Sequence, residues 1–156
     1  MTTRRTRAAD ALTDLIIDVL RLNGLLMTAG DRMVARLGLT SPRWQVLRAI
    51  YDAERAQPVA WLARDMGGNR QNVQRIVNDL QKMGLVTLEV NPHHRRASLV
   101  VLTDKGRRTY DEAGRLQAPW ANRLSEDLAI KDIDTTRRVV AELRKRLELN
   151  GEQASI

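Results

Sequence analysis

The chain has 156 residues, enough for one domain with a real core or a small domain with long helices, and a net charge of +7. It has no cysteine, which excludes disulfides, thiolate zinc sites and cysteine redox sensors, and no apolar run of about eighteen residues that could cross a membrane. Asp10, Asp14 and Asp18 interrupt the first apolar segment, so it does not read as a secretory leader, and a cytoplasmic location is expected.

The first residues read as a basic arm carrying Arg4, Arg5 and Arg7. Leu12, Leu15, Ile16, Val19, Leu20 and Leu22 then recur at helical spacing, and the pattern resumes through Leu26, Met33, Val34 and Leu37. Gly24 and Gly30 interrupt it at a cost in helix propensity, so they either bend the helix or admit a close neighbour. Gly38 closes the segment. Thr40-Ser41-Pro42 supplies a helix start, and Trp44, Val46, Leu47 and Ile50 form the buried side of a second helix over about 42–54. A short third helix opens at Pro58 with Val59, Leu62, Ala63 and Met66, and Gly67-Gly68 breaks it.

The next helix, about 69–83, buries Val73, Ile76, Val77, Leu80 and Met83, and Gly84 ends it as a left-handed cap residue. Leu85, Val86, Leu88 and Val90 then read as one strand and Leu99 to Leu102 as a second, with "NPHHRRAS" between them as a long hairpin tip. Thr103-Asp104 caps a last helical region that Pro119 should bend and whose end, 150–156, reads as a flexible tail.

Two short helices joined by a glycine turn form a helix-turn-helix, and the hairpin beside them makes it winged. The expected fold is mainly α with a small β-hairpin wing (α+β): a basic arm and N-terminal dimerisation helix over 1–37, a winged helix-turn-helix over 38–104, and C-terminal dimerisation helices over 105–149. A lone winged helix of this size cannot bury the apolar stripes Leu12/Leu15/Val19 and Val140/Leu143/Leu147, so a homodimer is expected to cover them.

Charge locates the functional surface. Between Arg64 and Arg108 there are nine Lys and Arg against four Asp and Glu, a concentration suited to a polyanion. The major groove of duplex DNA accepts a helix and presents base edges that pair with Arg, Asn and Gln. The outer face of the fourth helix supplies that set as Asn69, Arg70, Gln71, Gln74, Arg75 and Asn78, with no acid before Asp79. The bland alternative is that any surface helix is polar outside. At the hairpin tip, His93, His94, Arg95 and Arg96 suit phosphates or the minor groove. Arg96 could instead turn back to brace the wing, and the whole tip could be merely a solubilising bend.

A metal site is disfavoured, because two adjacent histidines cannot complete four ligands in a chain with no other histidine and no cysteine. Three Trp, two Tyr and no Phe do not make a stacking platform for single strands. No phosphate loop, thiol nucleophile or catalytic carboxylate pair is present, so no enzyme and no cofactor is expected. Trp44 and Trp120 lie on apolar stripes. Trp61 lies off its helix's buried face, so it packs under a neighbouring helix, stays partly exposed or lines a ligand pocket.

"GLTSPRWQVLRAI" (38–50), "PVAWLARDM" (58–66), "NVQRIVNDLQKMGLV" (72–86) and "NPHHRRASLVVLTDKG" (91–106) together resemble the multiple-antibiotic-resistance regulator (MarR) family of bacterial winged helix-turn-helix proteins. The resemblance implies a homodimeric transcriptional regulator on a palindromic operator, most often a repressor, relieved in many members by a small aromatic or phenolic compound. It makes Arg95-Arg96 the wing's arginine pair, and His94 stands where the family usually has an acid that helps hold the wing. An effector would lie between the first helix, the second helix and the start of the C-terminal region, where Gly24, Trp44 and Arg48 are candidates and Arg21 and Arg115 are further cations. Against this stand an activator, which sequence does not distinguish from a repressor, and a winged helix used for protein contact without operator binding.

Overall fold

The computed structural model describes residues 4–153. Helix α1, Arg7–Val34, begins where Thr6 Oγ1 accepts the Ala9 N–H at 3.2 Å and runs unbroken through both glycines. A 3-10 turn over Ala35–Leu37 ends on Gly38, whose φ of 69° is the left-handed conformation that glycine adopts without a Cβ clash. Helix α2 spans Ser41–Asp52. At its start Thr40 makes no side-chain cap, and the Ser41 N–H is donated to Asp31 Oδ1 of α1 at 2.6 Å.

Gly30 is the point of close approach between these helices. A Cβ there would run into Ser41 Oγ, which itself donates to the Met27 carbonyl at 2.7 Å. At Gly24 a Cβ would meet nothing within 4 Å among the described residues, so within one chain it admits no close neighbour.

A two-residue strand absent from the sequence reading, β1 at Gln57–Pro58, precedes α3, Val59–Asp65. Helix α4, Arg70–Lys82, follows the turn at Gly67, and β2, Val86–Glu89, follows Gly84. Strand β3, Leu99–Leu102, pairs antiparallel with both, giving a three-stranded sheet of order β1-β3-β2. Val86 faces Leu102 and Glu89 faces Leu99 across the wing, while Gln57 faces Val100 on the other side. Proline is tolerated in β1 because an edge strand has backbone N–H positions that need no ladder partner.

The core gathers where α2, α3, α4 and the sheet converge, with Val46, Leu47, Leu62, Val77, Leu80, Leu85 and Val100 almost wholly shielded. Val34 of α1 and Ala113 of the following helix join the same cluster. The compact unit accordingly extends to Gln117, beyond the winged helix itself.

Helix α5 spans Asp104–Leu124 and continues through Pro119. The helical region is interrupted after Leu124, where Asp127 takes a φ of 63°. From Ala118 the chain forms a second compact unit containing α6, Ile130–Gln153. Helix therefore continues into the stretch that reads as a tail, whose last residues, 154–156, lie outside those described.

Candidate nucleic-acid interface

Helix α4 forms because its apolar residues fall on one stripe and its ends are well capped. Asn69 Oδ1 accepts the N–H groups of Gln71 and Asn72 at 2.9 and 3.2 Å, satisfying two of the donors that a helix start leaves open. At the other end Lys105 Nζ donates to the Met83 carbonyl at 2.8 Å, and Thr103 Oγ1 donates to that of Gly84 at 2.7 Å. Asn69 thus spends its carboxamide oxygen on the helix, leaving its NH2 group to face outward chemistry.

Val73, Ile76, Val77 and Leu80 are buried, and Arg70, Gln71, Arg75 and Asn78 are exposed. Gln74 is half-buried and donates to Asn78 Oδ1 at 2.9 Å, while Arg75 donates to Asn72 Oδ1 at 3.0 Å. These side chains form a linked amide and guanidinium surface. The only acid on the helix, Asp79, is drawn away by Arg43 of α2 at 3.1 Å. That pair fixes α4 to α2 and neutralises the one negative charge on the helix.

His93, His94, Arg95 and Arg96 are all exposed at the wing tip. Among the described residues neither arginine has an ion-pair partner or a side-chain hydrogen bond, so Arg96 does not brace the wing here. Asn91 does. Buried between the strands, it accepts the His93 N–H on Oδ1 at 3.0 Å, and its carbonyl accepts the His94 N–H at 3.2 Å. This side-chain turn, followed by Ala97 N–H donating to the His94 carbonyl at 2.9 Å, orders the tip without an acidic residue before the arginine pair.

Sequence reasoning had not singled out Asn91. The cue was available, because asparagine immediately before proline at a strand end is a turn starter. Asp79–Arg43 carried no local cue, since its partners are far apart in the chain.

The residues expected to hold an effector are differently disposed. Trp44 packs half-buried against the core. Arg48 is exposed and paired with Asp52 at 3.1 Å. Arg115 is held by Glu112 at 2.7 Å, and Arg36 reaches the same carboxylate at 2.7 Å. Next to Arg48, Tyr51 and Tyr110 stack with ring centroids 4.4 Å apart, and burial together with the Asp52 carboxylate raises the Tyr110 pKa.

The expected dimerisation residues Leu12, Val19, Val140 and Leu147 are exposed, and Leu15 and Leu143 are half-buried.

A helix-turn-helix with a capped, acid-neutralised polar helix beside a basic hairpin defines a winged-helix DNA-binding protein. The comparisons with known proteins agree. Residues 37–97 match the model of the MarR family. An uncharacterized protein of Mycobacterium tuberculosis is 40% identical over 129 residues, which cover 83% of this chain and 89% of that one. The crystal structure of the M. tuberculosis regulator MosR in complex with DNA aligns with a TM-score of 0.73 at 24% identity, over 86% of this chain and 96% of that one. The crystal structure of CouR from Rhodococcus jostii bound to p-coumaroyl-CoA aligns with a TM-score of 0.75 at 22% identity, over 83% and 91%. The chain belongs to the MarR family of winged-helix transcriptional regulators, a family of DNA-binding proteins rather than enzymes. No helix among the described residues is long and apolar enough to cross a membrane.

Proposed function

We propose that the chain is a cytoplasmic repressor that binds a palindromic operator as a homodimer, with α4 in the major groove of each half-site and the wing at the adjoining minor groove. The observation that carries this reading is the face of α4. Arg70, Gln71, Gln74, Arg75 and Asn78 lie outward, beside wing arginines that have no ion-pair partner among the described residues, and Asp79 is turned aside into an ion pair. Arg70, Gln71 and Gln74 sit nearest the helix start, where such helices meet base edges. Arg95, Arg96, His93 and His94 serve the phosphates or the minor groove.

Two apolar faces support the second copy. On α1, Ile17, Val19, Leu20 and Leu25 are exposed; on α6, Val139, Val140 and Leu147 are. Burying one such side chain fully is worth about 1.5–3 kcal/mol, so covering several is a strong driving force for association. A two-fold dimer on DNA places its half-sites roughly 34–36 Å apart or a multiple of that. A small aromatic or phenolic effector that prefers one arrangement of the two lobes would change this spacing and release the operator. CouR, whose structure holds an aromatic acyl thioester, supports an effector of that kind. In this chain Gly24, Trp44 and Arg48 remain the proposed contacts.

Anisotropy titrations with the DNA upstream of the protein's own gene test the reading. Arg70→Ala or Gln74→Ala should relax base preference, losing about 1–3 kcal/mol of discrimination at one position of each half-site. Arg95→Ala should weaken all duplexes alike. Absence of any complex at low salt would favour a winged helix used for protein contact.

A further inference from the structure

A helix in the major groove and a wing in the neighbouring minor groove are separated by one sugar–phosphate backbone, because that backbone is the wall between the grooves. In this chain the surface between those two elements is a hollow of about 730 Å³, lined by Arg70 of α4, by His94 and Arg96 of the wing, and by Arg55, Pro58 and Trp61 at the entry to α3. Among the described residues no Asp or Glu contributes to its lining. Trp61 is 45% exposed, whereas Trp44 and Trp120 are half-buried. The Arg55 guanidinium carbon lies 5.7 Å from the Trp61 ring centroid, and among the described residues Arg55 has no acidic partner.

We propose that this hollow seats the sugar–phosphate backbone of the operator strand, with Arg55 as a phosphate clamp held on the face of Trp61. The inference rests on the operator reading above and adds two contact residues to it. Stacking engages the flat face of the guanidinium and leaves its N–H edge free for phosphate oxygens. The indole limits the conformations that Arg55 must give up on binding, and its own exposed ring offers apolar surface to a deoxyribose. Arg70 and Arg96, lining the same hollow, give the strand cationic neighbours beyond Arg55. Such contacts fix position on the duplex and carry no base information.

The test compares Arg55→Ala, Trp61→Ala and Trp61→Phe with the unaltered chain and with Arg70→Ala, on operator and on unrelated duplex at two salt concentrations. Arg55→Ala should weaken both duplexes by the same factor. Each dimer then loses two phosphate contacts, which lowers the salt slope by about 1.8, so the affinity lost between about 50 and 200 mM salt should shrink roughly 12-fold. Trp61→Ala should move the same way, and Trp61→Phe, which keeps a flat ring under Arg55, should recover most of the loss. An operator carrying one uncharged methylphosphonate at the clamped position should cost the unaltered chain affinity and cost Arg55→Ala none. Wild-type affinity and salt slope in both Arg55→Ala and Trp61→Ala, alongside relaxed base preference in Arg70→Ala, would overturn the clamp and leave the operator reading standing. No binding of either duplex by the unaltered chain would overturn the operator reading itself.

Discussion

Gly106 lies in the first turn of α5, where a methyl group on its Cα would overlap the Leu85 carbonyl oxygen and sit 2.9 Å from the carbonyl carbon. The obstacle is main chain, so no rotamer change removes it. That same carbonyl accepts the Thr103 N–H at 3.1 Å, and Thr103 Oγ1 accepts the Gly106 N–H at 3.0 Å. Gly106→Ala must therefore push α5 away from the α4–β2 junction and stretch these bonds. Overpacking of this kind costs about 1–3 kcal/mol, and a weakened hydrogen bond adds about 1 kcal/mol. The better helix propensity of alanine returns about 1 kcal/mol. The net expectation is a loss of about 1–3 kcal/mol. Gly114, on the same helix, has nothing within 4 Å, so Gly114→Ala should gain about 0.5–1 kcal/mol. Urea unfolding at one fixed protein concentration reads both changes, since the midpoint of an associating chain depends on concentration. Opposite midpoint shifts are expected. A Gly106→Ala midpoint at or above the wild-type value would refute the close-approach argument.

Removing the α4 cap with Asn69→Ala should cost about 1 kcal/mol in the same assay. Asn91→Ala should loosen the wing and weaken binding to all duplexes, read by anisotropy, with sequence preference retained. Val19→Glu or Leu147→Glu, each placing a charge on an exposed apolar face, should shift sedimentation from dimer to monomer at micromolar concentration; a wild-type monomer would refute the homodimer outright. Tyr110 titrates above its ordinary value of 10.0 because of burial and Asp52. Its unfolded form therefore loses the proton first, so its contribution to stability holds below about pH 10 and is lost as pH rises through the folded pKa. Tyr110→Phe should show a shallower alkaline loss of stability, measured by unfolding midpoints between about pH 9 and 11.

Much of the candidate site is legible in the sequence. The outward face of α4 follows from the stripe Val73, Ile76, Val77 and Leu80, because burying those residues leaves Arg70, Gln71, Arg75 and Asn78 nowhere to go but outside. The wing tip followed from a change of period on either side of a polar stretch. What stayed hidden were partnerships across distance: Arg43 with Asp79, Arg55 with Trp61, and Asp31 accepting the first N–H of α2. The off-face position of Trp61 was visible in the sequence, but what it meets was not.

Sequence by itself determined most of the helices, the turns between them and which faces are apolar, though not the last turn of α6. Each of those depends on local period and on residues such as Gly38 and Gly84 that tolerate a left-handed backbone. Only the tertiary structure decided that Gly30 is a contact and Gly24 is not, that Gln57 and Pro58 add a third strand, and that Asn91 rather than Arg96 orders the wing. These outcomes depend on how closely two distant segments approach, and hydrogen bonds and steric overlap change over fractions of an ångström that no spacing along the chain encodes.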